Sequence, residues 1–196
     1  MTDEYKTITE QVGEGFYSEK RSKFLAFAHH VETVDEVKAL LATYRKKYYD
    51  ARHVCYAYVL GPTGAEFRAN DDGEPSSTAG KPILGQIHSA ELTNVLVVVV
   101  RYYGGVNLGT GGLIVAYRCA AADALAHATV ETRLVEDTIT YTFAYPMMNA
   151  VMRVIKEMQP RIVAQSFDNT CSVSLSIRRE MAEALRSRLA HLSFEQ

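Results

Sequence analysis

The chain has 196 residues, of which 47% are hydrophobic and 22% are charged, as in ordinary globular proteins. This composition excludes an intrinsically disordered chain, and the formal net charge of −2 excludes a uniformly basic nucleic-acid-binding protein. A chain of this length forms one large domain or two small ones.

The cysteines and the apolar runs indicate the cellular compartment in which the protein is found. Cys55, Cys119 and Cys171 are far apart and no CxxC occurs, which favours free thiols in a reducing compartment. Residues 1–6 are polar, unlike a signal peptide. The strongly apolar run at residues 95–100 is much shorter than the roughly 20 residues that span a bilayer. We therefore expect a cytoplasmic protein without a membrane partner.

The N-terminal part of the chain alternates between strand and helix patterns. Apolar residues recur with one periodicity or the other, and glycine and proline mark the turns. The predicted elements are a strand at residues 24–30, a helix at 34–48, a hairpin of strands at 53–60 and 66–70, a helix at 82–91, a strand at 95–102 and a helix at 113–128. The strand at 95–102 is rich in valine and is expected to be buried on both faces.

The C-terminal part has a different order of elements, and the change falls near residues 129–133. Its predicted elements are a strand at 138–145, a helix beginning at Pro146, a hairpin of strands at 162–167 and 171–177, and a helix at 180–191. The order β-α-β-β-α is that of a split βαβ, ferredoxin-like domain, whose short final strand would lie near Phe194. The sequence thus predicts an α+β protein with domains at residues 1–132 and 133–196.

The segment at residues 101–112, between a buried strand and a helix, gives the strongest signal of a functional site. Glycine opens backbone conformations that are closed to other residues, and free N–H groups at a helix start attract an anion. We therefore expect phosphate to bind here, from a nucleotide or an RNA backbone. The alternative is a tight strand-to-helix connection in which the glycines serve packing. The segment lacks the GxGxxG spacing of a dinucleotide site.

The loop at residues 71–82 is the second signal. Gly80 and Lys81 look like the end of a P-loop, but Gly73 is too distant and Pro82 replaces the magnesium-binding hydroxyl. The acidic residues lack the spacing of a calcium loop, so we expect no metal. A turn with a helix cap is the simple interpretation, although so long a loop inside a compact domain favours a functional role.

Catalytic motifs are absent from the sequence. His53 and Cys55 lie two apart on a predicted strand, which does not complete a zinc site. A nucleophile pair would also need hydrogen-bond contact and an orienting third group. No GxSxG or HExxH pattern occurs. We therefore expect no catalytic residues and no cofactor.

Basic residues cluster at residues 20–23, 45–47 and 178–188, and each cluster alone is typical of a solvated face. Arg21 and Lys23 precede a predicted strand, and Arg101 with two tyrosines precedes residues 104–112, which we call the glycine segment. These residues can form a surface for phosphates and stacked bases if the fold brings them together.

Several sequence blocks in order resemble the signature of the YigZ/IMPACT family, and the two-domain layout is similar to its bacterial YigZ branch. The blocks are Asp72-Gly73-Glu74-Pro75, Thr78-Ala79-Gly80-Lys81-Pro82, Val99-Val100-Arg101-Tyr102-Tyr103-Gly104-Gly105 and Leu108-Gly109, with Ala51, His53 and Ala57 upstream. The resemblance covers residues 18–128.

This resemblance implies a fold for each domain. The first domain is expected to resemble ribosomal protein S5 domain 2, and the second to resemble the ferredoxin-like last domain of elongation factor G. Eukaryotic relatives restrain an amino-acid-starvation kinase by competing for its ribosome-associated activator. Those relatives carry an additional N-terminal RWD domain, and without it we do not expect the same competition here. The signature brings no established chemistry, so its residues mark a surface.

Two sets of candidate site residues follow. The anion- or nucleic-acid-binding candidates are Arg101, Tyr102, Tyr103, Gly104, Gly105, Asn107, Gly109, Thr110, Gly111, Gly112, Arg21 and Lys23. The signature-loop candidates are His53, Asp72, Gly73, Glu74, Thr78, Gly80 and Lys81.

The expected function is that of a non-catalytic RNA- or ribosome-associated binding protein that regulates translation, with a translation-associated protein partner. The alternatives are a small-molecule enzyme or nucleotide-binding protein that uses residues 104–112, and a pure protein-interaction module. RNA binding would be salt-dependent and weakened by Arg101→Ala, whereas nucleotide binding would raise the thermal stability.

Overall fold

The computed structural model describes residues 3–193 and divides into two compact units. The first unit consists of Tyr5–Arg133, and the second contains residues 134–193 together with residues 3–4. None of the helices in residues 3–193 combines the length and the apolar composition that a membrane crossing requires. The protein is thus a mixed α/β structure with two units.

The first unit is built around a mostly antiparallel framework of strands with three helices. Its elements are β1 (Glu4–Ile8), β2 (Gly13–Glu19), β3 (Ser22–His30), α1 (Val34–Lys47), β4 (His53–Leu60), β5 (Glu66–Asn70), α2 (Gly80–Ser89), β6 (Val95–Tyr102), α3 (Gly109–His127) and β7 (Val130–Leu134). Five strands form one sheet in the order β2-β3-β6-β4-β5, and β1 pairs with β7. The neighbouring strands of the five-stranded sheet are all antiparallel.

Both faces of the five-stranded sheet are covered because its central strands are apolar on both sides. Phe24 and Ala26 of β3 pack in one core with α2 and α3, while Phe27 packs in a second core with α1. The valine-rich strand β6 is buried from Val95 to Val100, as its composition predicts.

Strand β2 lies directly on the backbone of α3. A Cβ atom added at Gly13 would lie 2.3 Å from the carbonyl oxygen of Ala124, and one added at Gly15 would lie 2.3 Å from its nitrogen. Ala120 and Ala124 of α3 are fully buried, and their small side chains permit this approach. Glycine is therefore required at both positions of β2.

The second unit is a three-stranded antiparallel sheet with two helices. Its elements are β8 (Glu136–Phe143), a single 3-10 turn (Tyr145–Met147), α4 (Met148–Met158), β9 (Arg161–Phe167), β10 (Cys171–Arg178) and α5 (Arg179–His191). The strand order is β8-β10-β9. Val173 and Leu175 pack against helical residues such as Leu185. The element order β-α-β-β-α is the one that the sequence predicts, and the final strand expected near Phe194 lies outside the described residues.

Candidate nucleic-acid interface

Four connections of the first unit meet at one end of the five-stranded sheet. In the strand register Lys23 lies opposite Tyr102, and His53 lies opposite Arg101, so the starts of β3 and β4 adjoin the end of β6. Strand β5 ends at Asn70 opposite Tyr56 of β4, which brings the loop at residues 71–79 to the same end. We call this end of the sheet the loop end. It gathers the residues of both candidate sets.

Arg101 faces the interior at the loop end, where it is bound to Glu74. Its Nη1 donates a 2.5 Å hydrogen bond to Glu74 Oε1, and Tyr117 Oη donates to the same oxygen at 2.8 Å. Arg101 is 5% exposed and Glu74 is 8% exposed. The expectation that Arg101 offers its charge to a phosphate at the surface is therefore corrected, because Glu74 already neutralises that charge inside the protein.

The loop at residues 71–79, which we call the acidic loop, is fixed by hydrogen bonds to its own side chains. Asp71 accepts hydrogen bonds from the backbone N–H groups of Ser77 at 2.9 Å and Gly80 at 2.8 Å. Asp72 accepts one from the backbone N–H of Val54 at 2.7 Å. Sequence reasoning missed the role of Asp71, whose signal is an Asp placed before a turn-forming run. Within residues 3–193, no group of His, Cys, Asp and Glu side chains is arranged to hold a metal ion.

The remaining loop candidates also serve the local structure. Thr78 is buried and its hydroxyl donates to the carbonyl of Pro75 at 2.6 Å. Gly73 has φ of 85°, which favours glycine. A Cβ at Gly80 would lie 2.5 Å from the backbone nitrogen of Asn70. Lys81 is exposed at the start of α2. The loop thus presents a fixed shape whose carboxylates are already engaged.

His53 and Cys55 are directed to different partners. His53 Nδ1 lies 2.7 Å from the carbonyl oxygen of Asp72, and its Nε2 lies 3.6 Å from Glu74 Oε1. The Cys55 thiol donates to the carbonyl of Asp71 at 3.1 Å, and burial raises the pKa of the thiol. A buried thiol with a raised pKa is a poor nucleophile. These contacts make the pair part of the internal framework.

The glycine segment is open to solvent on most of its length. Helix α3 begins at Gly109, earlier than the sequence predicts, and Leu108 at its N-cap makes no side-chain capping hydrogen bond. A Cβ added at Gly105, Gly109 or Gly111 would meet no atom within 4 Å. Among the hydrogen bonds found in residues 3–193, none uses a backbone N–H of residues 105–108 as its donor. Together with the first turn of α3, these groups form an exposed set of amide donors.

Gly104 is the exception within the glycine segment. A Cβ added there would lie 2.1 Å from the carbonyl carbon of Arg21, and its N–H donates to Ser22 Oγ at 3.2 Å. Both Lys20 and Arg21 have positive φ in this tight turn between β2 and β3. The structure therefore brings Arg21 and Lys23 to the glycine segment, as the proposed phosphate surface requires.

Exposed cations lie at the loop end, in the turn between β2 and β3, at the end of α1 and just before β4. They are Lys20, Arg21, Lys23, Arg45, Lys46, Lys47 and Arg52, which we call the basic rim. In the part of the chain that the structure describes, none of them lies within 4.0 Å of a carboxylate. Sequence reasoning treated residues 45–47 as a separate solvated face and did not single out Arg52. The antiparallel strand order brings the turn between β2 and β3, the end of α1 and Arg52 to the same end of the sheet.

Aromatic rings lie among the cations of the basic rim. The Arg52 guanidinium is 5.5 Å from the centroid of the Tyr103 ring, which is 41% exposed. Tyr102 donates from its hydroxyl to Asp50 at 2.9 Å, and Tyr49 is 84% exposed. Asn107 accepts a hydrogen bond from the Tyr103 hydroxyl at 3.1 Å. The loop end thus combines cations, rings and open amides.

Five of the six arginines of the second unit are paired with carboxylates, unlike the cations of the basic rim. Each of five lies within 4.0 Å of a carboxylate: Arg161 with Glu136, Arg178 with Glu180, Arg179 with Asp137, Arg186 with Glu183 and Arg188 with Glu157. A paired surface arginine has little charge left for an external anion. Arg153 and Lys156 of α4 are exposed and lie within 4.0 Å of no carboxylate in residues 3–193, but the basic rim places seven such cations at one end of a sheet.

Comparison with known proteins agrees with the signature blocks. Residues 20–125 match the family model described as the Impact N-terminal domain. An IMPACT family member from Haemophilus influenzae is 34% identical over 176 residues, which cover 89% of this chain and 85% of that protein. The IMPACT family member YigZ from Escherichia coli is 30% identical over 89% of this chain and 86% of its own.

One solved structure extends the similarity to the whole fold. It is the crystal structure of a hypothetical protein, with a TM-score of 0.80 and 28% sequence identity. The match covers 98% of this chain and 94% of the other. The family model spans the turn at Lys20 and Arg21, which we call the basic turn, the acidic loop and the glycine segment, so these features belong to the matched region. The chain belongs to the IMPACT family.

Proposed function

We propose that the first unit binds RNA through the basic rim, and that the protein is a non-catalytic, cytoplasmic, RNA- or ribosome-associated regulator of translation. The observation that carries this proposal is that the unpaired cations of the basic rim lie at the same end of the sheet as the open amides of residues 105–112. Cations and backbone N–H groups are the donors that hold phosphates in protein–nucleic acid complexes. The link to translation is supported by the relatives that the sequence resemblance identifies.

The same proposal assigns the fold of each unit. We infer a ribosomal protein S5 domain 2-like fold for Tyr5–Arg133 and a ferredoxin-like fold, similar to the last domain of elongation factor G, for the second unit. The strand order β8-β10-β9 supports the second assignment, because a ferredoxin-like sheet places its first and second strands on either side of the third. Both fold types occur in proteins that contact RNA.

The arrangement of the acidic residues supports a binding role without catalysis. Glu74 is engaged by Arg101 and Tyr117, and Asp71 and Asp72 accept backbone hydrogen bonds. A general acid or base must reach the substrate with a free carboxyl or imidazole group. These carboxylates instead fix the shape of the loop end, which is what a surface that binds a rigid polyanion needs.

Binding of ribosomes and of a single-stranded RNA across a salt series tests the proposal. We expect affinity to fall with rising salt, because phosphate contacts release counterions. The double variant Lys23→Ala, Arg52→Ala should weaken binding and lower the slope of log K against log salt by about 0.7 for each lost contact with a single strand. Arg186→Ala, which removes a paired arginine of the second unit, is the matched control and should leave binding unchanged.

A different result would favour a different function. If inorganic phosphate or ATP raises the melting temperature while no RNA or ribosome binds at low salt, the open start of α3 is a nucleotide or phosphate site instead. If RNA binds but the double variant and Arg186→Ala behave alike, the basic rim is not the interface.

A further inference from the structure

A pocket with aromatic walls lies beside the basic rim. Its volume is about 350 Å³, and its lining includes Glu14, Phe16, Phe27, Lys47, Tyr48 and Asp123. The strand register places Phe16 opposite Leu25 and Glu14 opposite Phe27. The ring of Tyr48 lies 5.8 Å from the ring of Phe27. The end of α1 and the edge strand β2 therefore border an open hollow that is lined by both apolar and polar groups.

Phe16 is exposed because of the way β2 packs. Gly13 and Gly15 are the β2 residues that lie against α3, so Glu14 and Phe16 point to the other face of the strand. Phe16 is left 51% exposed, although burial of such a ring would favour folding. An exposed ring that adjoins partly exposed apolar neighbours is a feature of binding surfaces.

The polar groups of the pocket restrict which chemical groups a ligand can place there. Lys47 belongs both to the pocket and to the basic rim. Glu14 and Asp123 contribute carboxylates, and Asp123 Oδ2 accepts the backbone N–H of Phe16 at 2.9 Å. Two carboxylates would repel a phosphate group inside the pocket, but they can accept hydrogen bonds from an amino group. A ligand with a flat ring, an amino group and a phosphate outside the pocket satisfies all of these groups.

We propose that this aromatic pocket takes one unstacked nucleobase of a single-stranded RNA whose backbone lies on the basic rim. This inference rests on the proposed function. Aromatic side chains hold bases of single strands by stacking, whereas bases in a duplex are already stacked and paired. The carboxylates of Glu14 and Asp123 favour adenine, cytosine or guanine over uracil, which has no exocyclic amino group.

The test compares two exposed phenylalanines. Phe16→Ala should lower the affinity for a short adenine-rich RNA about tenfold, because stacking is worth about 1–3 kcal/mol per base. It should leave the salt slope unchanged, since no phosphate contact is removed. Phe16→Trp should retain binding, and Phe67→Ala, which removes a ring that is 55% exposed on β5, should have no effect. Melting temperatures confirm that each variant is folded.

The outcomes separate this inference from the proposed function. If RNA binds and Lys23→Ala, Arg52→Ala lowers the salt slope while Phe16→Ala binds like the wild type, the pocket inference is overturned and the RNA surface stands. Equal binding of duplex and single strands, or of oligouridine and oligoadenosine, also overturns it. If the wild type binds no RNA, both proposals fail.

Discussion

Glu74 and Arg101 are joined by a 2.5 Å hydrogen bond, although 27 residues separate them in the chain. Tyr117 donates to the same oxygen of Glu74 and comes from α3, so the acidic loop, β6 and α3 are tied at a single atom. The most distinctive residues of the sequence are therefore internal braces of the loop end. The exposed surface beside them consists of other residues, such as those of the basic rim, which stand out less in the sequence.

The first prediction concerns this brace. Glu74→Gln leaves the guanidinium of Arg101 buried without a counter-charge, which should lower the free energy of unfolding by about 3–5 kcal/mol. Urea unfolding measures the change. Glu183→Gln removes a carboxylate that pairs with Arg186 on the surface, and should cost about 0–1 kcal/mol. Similar losses in the two variants would show that the internal pair does not stabilise the loop end.

The second prediction compares two glycines of the same segment. Gly104→Ala places a Cβ 2.1 Å from the backbone of Arg21, so the free energy of unfolding should fall by about 1–3 kcal/mol or more. Gly111→Ala meets no atom within 4 Å and lies in the first turn of α3, so it should gain roughly 0.5–1 kcal/mol. Thermal unfolding distinguishes the two, and a stable Gly104→Ala variant would contradict the packing of the segment on the turn.

The third prediction is a pH dependence that arises from His29. Burial lowers the pKa of His29 below its ordinary value of 6.5, and its Nε2 lies 2.5 Å from the hydroxyl of Tyr44. Because the folded-state pKa is the lower one, the imidazole is neutral in both states well above pH 6.5. As the pH falls below that value, the unfolded chain takes up the proton first, so the free energy of unfolding decreases.

The variant His29→Gln cannot make this transition. We expect its free energy of unfolding to decrease less than that of the wild type when the pH is lowered from neutrality to just below 6.5. Urea unfolding at a series of pH values measures the difference, and the other histidines contribute equally to both proteins. Parallel pH profiles would show that His29 is not the source.

The fourth prediction concerns the thiols. Cys55 and Cys171 are fully buried, whereas Cys119 on α3 is partly exposed. A disulfide reagent should therefore react with Cys119 first in the native protein, and with all three thiols in urea. Cys119→Ser should abolish the fast native reaction. Fast labelling of Cys55 in that variant would mean that the loop end opens readily.

Strands and helices with a strong periodicity could be predicted from the sequence. The hairpin of β4 and β5 has the predicted bounds, because alternating aromatic and β-branched residues flank a glycine turn. Strands β1, β2 and β7 were not predicted. In β2 the first two inward positions are Gly13 and Gly15, so the strand has no clear apolar alternation and depends on α3 for its place.

The location of the candidate site could be predicted from the sequence, but the roles of several of its residues could not. The glycine segment and the basic turn could be identified from composition, and the structure brings them together through Gly104 and Ser22. The inward direction of Arg101 could not be predicted, because it depends on which residues of β3 and β4 lie opposite it. The contribution of Arg52 likewise depends on strand register, which no local pattern encodes.

The contact of Gly13 and Gly15 with Ala124 has a consequence for synthesis of the chain. The edge strand is made among the first residues, but the helix that receives it is completed only at His127. During vectorial synthesis β2 can pair with β3, yet the face of β2 that bears Gly13 and Gly15 stays uncovered until α3 has left the exit tunnel. Nascent chains that end before α3 should therefore be sensitive to proteases at β2, whereas chains that extend well past β7 should be protected there.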